Sequence, residues 1–238
     1  MILSKLGRFG AVAALAVSIL SAAGPVVAFG DSTTANRSGI TPYAARLQSS
    51  LAIPVINAGV PGNDTTQARA RLDKDVLSHR PAVVIVQFGL NDAGVDVWKQ
   101  PPASKPRVDL DTYRKNLTLF VDTIRKRGGA VILMTPNPMS WTPKLLELYG
   151  KPPYDPARAD GINLVVTDYA QAVRDLAGRA ETPLVDVYRA FTEDRRGVPA
   201  LLLDGMHPND AGHEKITEML LPALRRLGAV SVPGSPRP

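Results

Sequence analysis

Five short runs rich in valine and isoleucine recur along the chain, at residues 26–29, 53–57, 83–88, 130–135 and 184–187. Most lack the apolar–polar alternation of a strand with one wet face. That composition suits strands covered on both sides, as in a parallel sheet. The segments between them carry helical spacing instead. Tyr43, Leu47 and Leu51 recur every fourth residue, and Tyr113, Leu117, Phe120, Val121 and Ile124 fall on one helical face. Asp111 is the expected N-cap of that longer helix and Gly128 its stop. Further helices are expected near 66–78, 162–177 and 211–227. Strands alternating with helices imply right-handed crossovers, hence an α/β fold with a parallel sheet between two helical layers. In such sheets ligands bind beyond the carboxyl ends of the strands.

Two segments break the alternation. Residues 99–106 hold three prolines, and residues 137–160 hold five together with Trp141, Tyr149 and Tyr154. Both follow a strand's carboxyl end, so both can overhang a crevice there. Long loops of this kind are usually functional or disordered, and the aromatics favour function.

The N-terminus reads differently. Lys5 and Arg8 precede an uncharged, mostly apolar run over 9–23 that ends in Ser21, Ala22 and Ala23. A basic start, a short apolar stretch and small residues at the exit are the pattern of a secretory signal peptide over 1–23. The run is shorter than the roughly 20 residues that span a bilayer. A periplasmic or extracellular location is expected, with no stable membrane span after cleavage. The domain then covers 24–227, and residues 228–238 form a Pro/Gly/Ser-containing tail expected to be disordered. The chain has no cysteine, which excludes disulfides, zinc thiolates and a cysteine nucleophile. Its formal charge is +6, but the basic residues form no stripe interleaved with aromatics, so nucleic-acid binding is not expected. Oligomeric state is not encoded in any pattern of the sequence.

Polar motifs cluster after the strands. Residues 29–32 read Phe-Gly-Asp-Ser, placing Ser32 at the start of a strand-to-helix connection. Asp-Ser is also ordinary turn chemistry. The second strand leads into Gly59 and Gly62, with Asp64 or Thr65 able to cap the next helix. These glycines do not complete a dinucleotide-binding pattern. The third strand leads into Gly89–Leu90–Asn91–Asp92, where the Asn91 amide can donate into the same crevice, or can form an Asn/Asp turn. The fourth motif is Asp204–Gly205–Met206–His207–Pro208. A carboxylate and an imidazole three residues apart can meet across a turn. A serine hydroxyl needs such a base, held in the right tautomer by a carboxylate, to become a nucleophile. Of the other two histidines, His79 is expected at the surface and His213 in local structure. Asp204, His207, Asp210 and His213 are also spaced as a loose metal cluster. Asp210 is, however, well placed to cap the last helix, and no metal site is expected.

Together, in this order, the four blocks resemble the SGNH/GDSL hydrolase family from Val26 to the final helix. The resemblance implies a three-layer α/β/α sandwich with a central parallel sheet of about five strands, flavodoxin-like in kind. It implies Ser32 as nucleophile, His207 as base and Asp204 as its partner. It implies an oxyanion hole made by the backbone N–H groups of Ser32 and Gly62 and the Asn91 side chain. The same Ser–Asp–His order occurs in α/β-hydrolases, but their G-x-S-x-G motif is missing, since Thr34 stands where the second glycine would be. The expected activity is a secreted serine esterase acting through an acyl-enzyme without a cofactor, leaning to acetyl groups on carbohydrates. Trp98, Trp141, Tyr149 and Tyr154 are candidate contacts to a glycan, lipid or small-molecule ester. A lysophospholipase or arylesterase, an acyltransferase, and a non-catalytic glycan-binding protein on the same fold stand as alternatives.

Overall fold

The computed structural model describes residues 24–228. The valine-rich runs form strands β1 (Val26–Gly30), β2 (Val55–Gly59), β3 (Val83–Gln87), β4 (Ala130–Met134) and β5 (Leu184–Val185). All pair in parallel, in the order β2-β1-β3-β4-β5. The leader expected over 1–23 lies outside the described residues, as does the tail beyond Gly228.

Eight helices lie among the described residues: α1 (Tyr43–Ser50), α2 (Thr65–Asp75), α3 (Leu90–Ala93), α4 (Leu110–Lys126), α5 (Pro143–Tyr149), α6 (Val166–Arg179), α7 (Val187–Thr192) and α8 (Asp210–Arg226). Alternate strand residues serve opposite helical layers. Val27, Phe29, Val84, Val86, Val131 and Leu133 pack with residues of α2, α4 and α6. Val26, Ala28, Val83, Ile85, Ile132 and Met134 pack with residues of α1, α7 and α8. Both faces are dry, which is why the strands read as unbroken apolar runs. Phe29, Phe88 and Phe120 stack under the α2–α4 layer, Phe29 and Phe88 edge-to-face at 5.1 Å. Buried aromatic pairs of this kind contribute about 1 kcal/mol each beyond their burial.

Several boundaries move from the expected ones. β2 starts after Pro54, whose nitrogen cannot join a ladder, and continues through Gly59, which pairs with Gly30. α4 begins a residue ahead of Asp111. Its cap is Asp109, which accepts from the Thr112 N–H and hydroxyl, while Asp111 sits in the first turn, where a carboxylate suits the helix dipole. Likewise the cap of α8 is Asn209, accepting from the Gly212 N–H at 3.0 Å. Asp210 instead takes the Thr41 N–H and the Arg46 guanidinium, tying α8 to the start of α1. β5 is cut short because Asp186 turns away to cap α7.

His213 belongs to this α1–α8 seam. It is buried, and its Nδ1 accepts the Tyr43 backbone N–H at 3.3 Å. Burial, and next the Arg46 guanidinium, push it down to about 4 from an ordinary 6.5. Because the folded value is the lower one, the unfolded chain takes up the proton first as pH falls. This residue therefore removes stability progressively between about pH 6.5 and pH 4, by about 3 kcal/mol in all. Above pH 6.5 it has no effect. Urea unfolding at stepped pH should show that loss in the parent chain and a flatter profile in His213→Asn, which keeps an acceptor near Nδ1. Equal slopes in the two proteins would rule the assignment out.

Candidate active site

The strand order reverses direction at β1, since β2 lies on one side of it and β3 on the other. A crevice opens at such a switch point beyond the carboxyl ends of the strands. Ser32 follows β1, Gly62 follows β2 and Asn91 follows β3, so topology alone brings these three blocks together.

The turn that carries Ser32 is held from within. Asp31 is fully buried, and its Oδ1 accepts from both the N–H and the hydroxyl of Thr33, each at 2.8 Å. The Ala35 N–H donates to the Asp31 carbonyl. Burial pushes the Asp31 carboxyl above its ordinary range, although the Thr33 hydrogen bonds oppose that. Ser32 itself is half-buried, with its hydroxyl facing the opposite rim.

On that rim, His207 Nε2 lies 3.0 Å from Ser32 Oγ, and His207 Nδ1 lies 2.8 Å from Asp204 Oδ2. Asp204 Oδ1 meanwhile accepts the backbone N–H groups of Met206 and His207. Part-burial pushes the Asp204 carboxyl up, but the His207 N–H and imidazole together pull it further down, so its net direction is downward. Gly205 makes this tight turn possible. Its φ is +85°, and a Cβ there would overlap the Ser140 carbonyl. A left-handed residue pressed against backbone must be glycine. The line hydroxyl–imidazole–carboxylate is one along which a proton can leave the hydroxyl and the resulting imidazolium is stabilised.

The donors sit on the other side of Ser32. Residues Val60, Pro61, Gly62 and Asn63 form a β-turn closed by Asn63 N–H to the Val60 carbonyl, with proline second and Gly62 third at φ +78°. The Gly59 N–H is already donated to Asn57 Oδ1. Those of Ser32 and Gly62 have no acceptor among the described residues. Asn91, in the first turn of α3, donates Nδ2–H to the Asn63 carbonyl at 3.1 Å and more weakly to Asp31 Oδ2 at 3.3 Å.

Of the aromatic residues singled out from the sequence, Tyr149 and Tyr154 line a cavity of about 90 Å³ beside this centre. Leu90, Asn91, Gly94, Arg107, Met139 and Met206 complete its wall. The two rings meet edge-to-face at 5.3 Å, and the Tyr154 hydroxyl accepts the Val95 N–H. Trp98 is 46% exposed and stands on a more open groove next to Gly62. Trp141 lines neither space; its indole N–H donates to the Arg158 carbonyl and its ring supports the Val95–Tyr154 cluster. The four residues of the loose metal spacing, Asp204, His207, Asp210 and His213, turn to different partners, Asp210 to Thr41 and Arg46. His207 turns to Ser32 and His213 to Tyr43, and no group of three metal-ligating side chains converges among the described residues.

Two arginines that no motif marks complete the site. Arg71 of α2 donates to the carbonyls of Gly30 and Ala58 and to Asn63 Oδ1, joining β1, β2 and the Gly62 turn, with its guanidinium 4.7 Å above Phe29. Arg107 donates to Asn91 Oδ1. These site contacts span 8 to 41 residues along the chain for Arg71, which also pairs with Asp75 four residues on, and 11 to 16 for Arg107. No local pattern of either residue predicts those contacts.

Residues 28–215 match the model of the GDSL-like Lipase/Acylhydrolase family. The chain is 30% identical over 203 residues to an uncharacterized lipoprotein of Bacillus subtilis, covering 79% of this chain and 82% of the relative. It is 30% identical over 168 residues to an acetylxylan esterase of Geobacillus stearothermophilus, covering 68% of each. The fold is similar to that of a lipase/acylhydrolase from Enterococcus faecalis, with a TM-score of 0.66 at 25% identity over 88% of this chain and all of that one. The chain thus belongs to the GDSL-like lipase/acylhydrolase family, and it is a carboxylic ester hydrolase.

Proposed function

We propose that this esterase works through Ser32, His207 and Asp204, and that it removes short acyl groups, acetyl above all, from carbohydrates outside the cytoplasm. The observation that carries the catalytic part is the unbroken contact line from Ser32 Oγ through His207 to Asp204, at 3.0 and 2.8 Å. Ser32 Oγ attacks the ester carbonyl carbon as His207 Nε2 accepts its proton. The carbonyl oxygen becomes an oxyanion that receives the N–H groups of Ser32 and Gly62 and the Asn91 Nδ2–H. The C–O bond to the alcohol then breaks, and His207 returns the proton to the departing oxygen. Water repeats the sequence on the acyl-enzyme and frees Ser32. Asp204 holds the imidazole in the tautomer that presents a bare Nε2.

The cavity beside Asn91 and Met206 supports a short acyl group. At about 90 Å³ it is far smaller than the roughly 300–1,000 Å³ of sites for drug-sized ligands. Leu90, Met139 and Met206 offer apolar walls to a methyl group. The exposed Trp98 on the adjoining groove offers a face on which a sugar ring can stack. The similarity to an acetylxylan esterase points the same way. The basic, apolar, small-residue pattern over 1–23 supports export.

Rates on p-nitrophenyl acetate and octanoate test the acyl preference. Acetate is expected to be favoured in kcat/KM by at least about tenfold, as a pocket too short for extra methylenes requires. Tyr149→Ala, which opens one wall, should narrow that ratio. A parent enzyme that prefers octanoate would overturn the short-acyl reading. Acetate release from acetylated xylo-oligosaccharides, weakened in KM by Trp98→Ala, tests the carbohydrate part. Recovery of the protein outside the cytoplasm with its N-terminus near residue 24 tests export.

A further inference from the structure

We propose that Arg107 is a positioning residue that fixes and polarises the Asn91 amide; this rests on the reading of Asn91 as an oxyanion donor. A primary amide can present either its oxygen or its NH₂ to a site, and only the second can hold an oxyanion. Arg107 decides between them. Its Nη1–H donates to Asn91 Oδ1 at 3.0 Å. A guanidinium has donors only, so the flipped amide would set NH₂ against N–H and lose this bond. The other end of the amide agrees, since Nδ2 donates to the Asn63 carbonyl at 3.1 Å.

The guanidinium is itself held hard. Arg107 Nη2 lies 2.6 Å from Asp96 Oδ1, and Nε lies 3.1 and 3.2 Å from the two carboxylate oxygens. Asp96 is 4% exposed and also takes the Lys99 ammonium at 2.7 Å. The Arg107 backbone N–H donates to the Gly94 carbonyl, which anchors residue 107 against the end of α3. A positive charge on the amide oxygen draws electron density from nitrogen and strengthens the Nδ2–H as a donor, as in any hydrogen-bond chain. The hydrogen aimed at Asp31 Oδ2 makes the weaker of the two contacts, at 3.3 Å, so it is the one a substrate oxyanion can take over.

A double-mutant cycle on kcat for p-nitrophenyl acetate tests this, using Asn91→Ala, Arg107→Met and the double variant. Arg107→Met is expected to lower kcat on the order of tenfold, the size of one charge-assisted hydrogen bond. In the Asn91→Ala background the same change should cost less than about twofold, because the group it acts through is gone. Should Arg107→Met fail to fold, Arg107→Lys keeps the charge opposite Asp96 and is expected to give a smaller loss that likewise disappears in the Asn91→Ala background. Equal factors in both backgrounds would overturn the positioning role while leaving Asn91 as a donor. No loss of kcat in Asn91→Ala alone would overturn the donor assignment, and the role of Arg107 with it.

Discussion

Replacing His207 by alanine is expected to lower kcat for ester hydrolysis by on the order of 10⁴–10⁶-fold with little change in folding stability. The magnitude follows from the chemistry of the nucleophile. A serine hydroxyl is scarcely ionised near neutral pH, and among the described residues the side chain hydrogen-bonded to Ser32 Oγ is His207, through Nε2 at 3.0 Å. Without it the proton must go to solvent, and the departing alcohol has no acid to receive a proton from. The small stability cost follows from the position of the ring. His207 lies on a half-exposed loop outside the two main apolar clusters, whereas His213 is built into the α1–α8 seam. The two histidines should therefore separate cleanly: His207→Ala abolishes turnover with the melting temperature preserved, and His213→Asn changes acid stability with turnover largely preserved. Steady-state rates and thermal melts on both variants check this, and a His207→Ala enzyme within tenfold of the parent would refute the assignment.

Asn91→Ala is expected to lower kcat by on the order of 10²–10³-fold while KM moves only a few-fold. The asymmetry distinguishes a donor aimed at developing charge from one that merely binds substrate. A carbonyl oxygen in the ground state is a modest acceptor, and the tetrahedral oxyanion is a strong one, so most of the loss falls on the chemical step. The backbone donors of Ser32 and Gly62 would remain, which is why the loss is smaller than for His207. A rise in KM with kcat unchanged would make Asn91 a binding residue instead.

Much of this architecture is legible in the chain because the physical signals are local. Two dry sheet faces demand unbroken valine and isoleucine, so all five strands can be located to within two residues. Ser32, Asp204 and His207 sit in two short motif blocks, the first directly after β1 and the second well beyond β5, just ahead of α8, and the fold brings Ser32 against His207 across 175 residues. What escapes is set by contacts distant in sequence. The caps Asp109 and Asn209 are displaced by one or two positions from the expected Asp111 and Asp210, because Asp, Asn and Ser all cap and neighbouring candidates compete. The proline-rich stretch over 137–160 reads as loop, yet Pro143 occupies the first position of α5 behind the Thr142 cap, where proline is favoured. Arg71 and Arg107 carry no motif signal for their site contacts, and only the folded crevice sets them against Asn63 and Asn91. Trp141 and Tyr149 look equivalent in sequence; the Arg158 carbonyl takes the indole N–H of the first, while the second faces the cavity.

Covalent labelling tests the proposed nucleophile, Ser32, most directly. The folded protein would be treated with a diethyl p-nitrophenyl phosphate ester, which traps activated serines, and the adduct located by peptide mass spectrometry. One equivalent of diethyl phosphate on Ser32, with loss of activity in parallel and no labelling in Ser32→Ala or His207→Ala, is the predicted result. Labelling at another residue, or full esterase activity in Ser32→Ala, would contradict it.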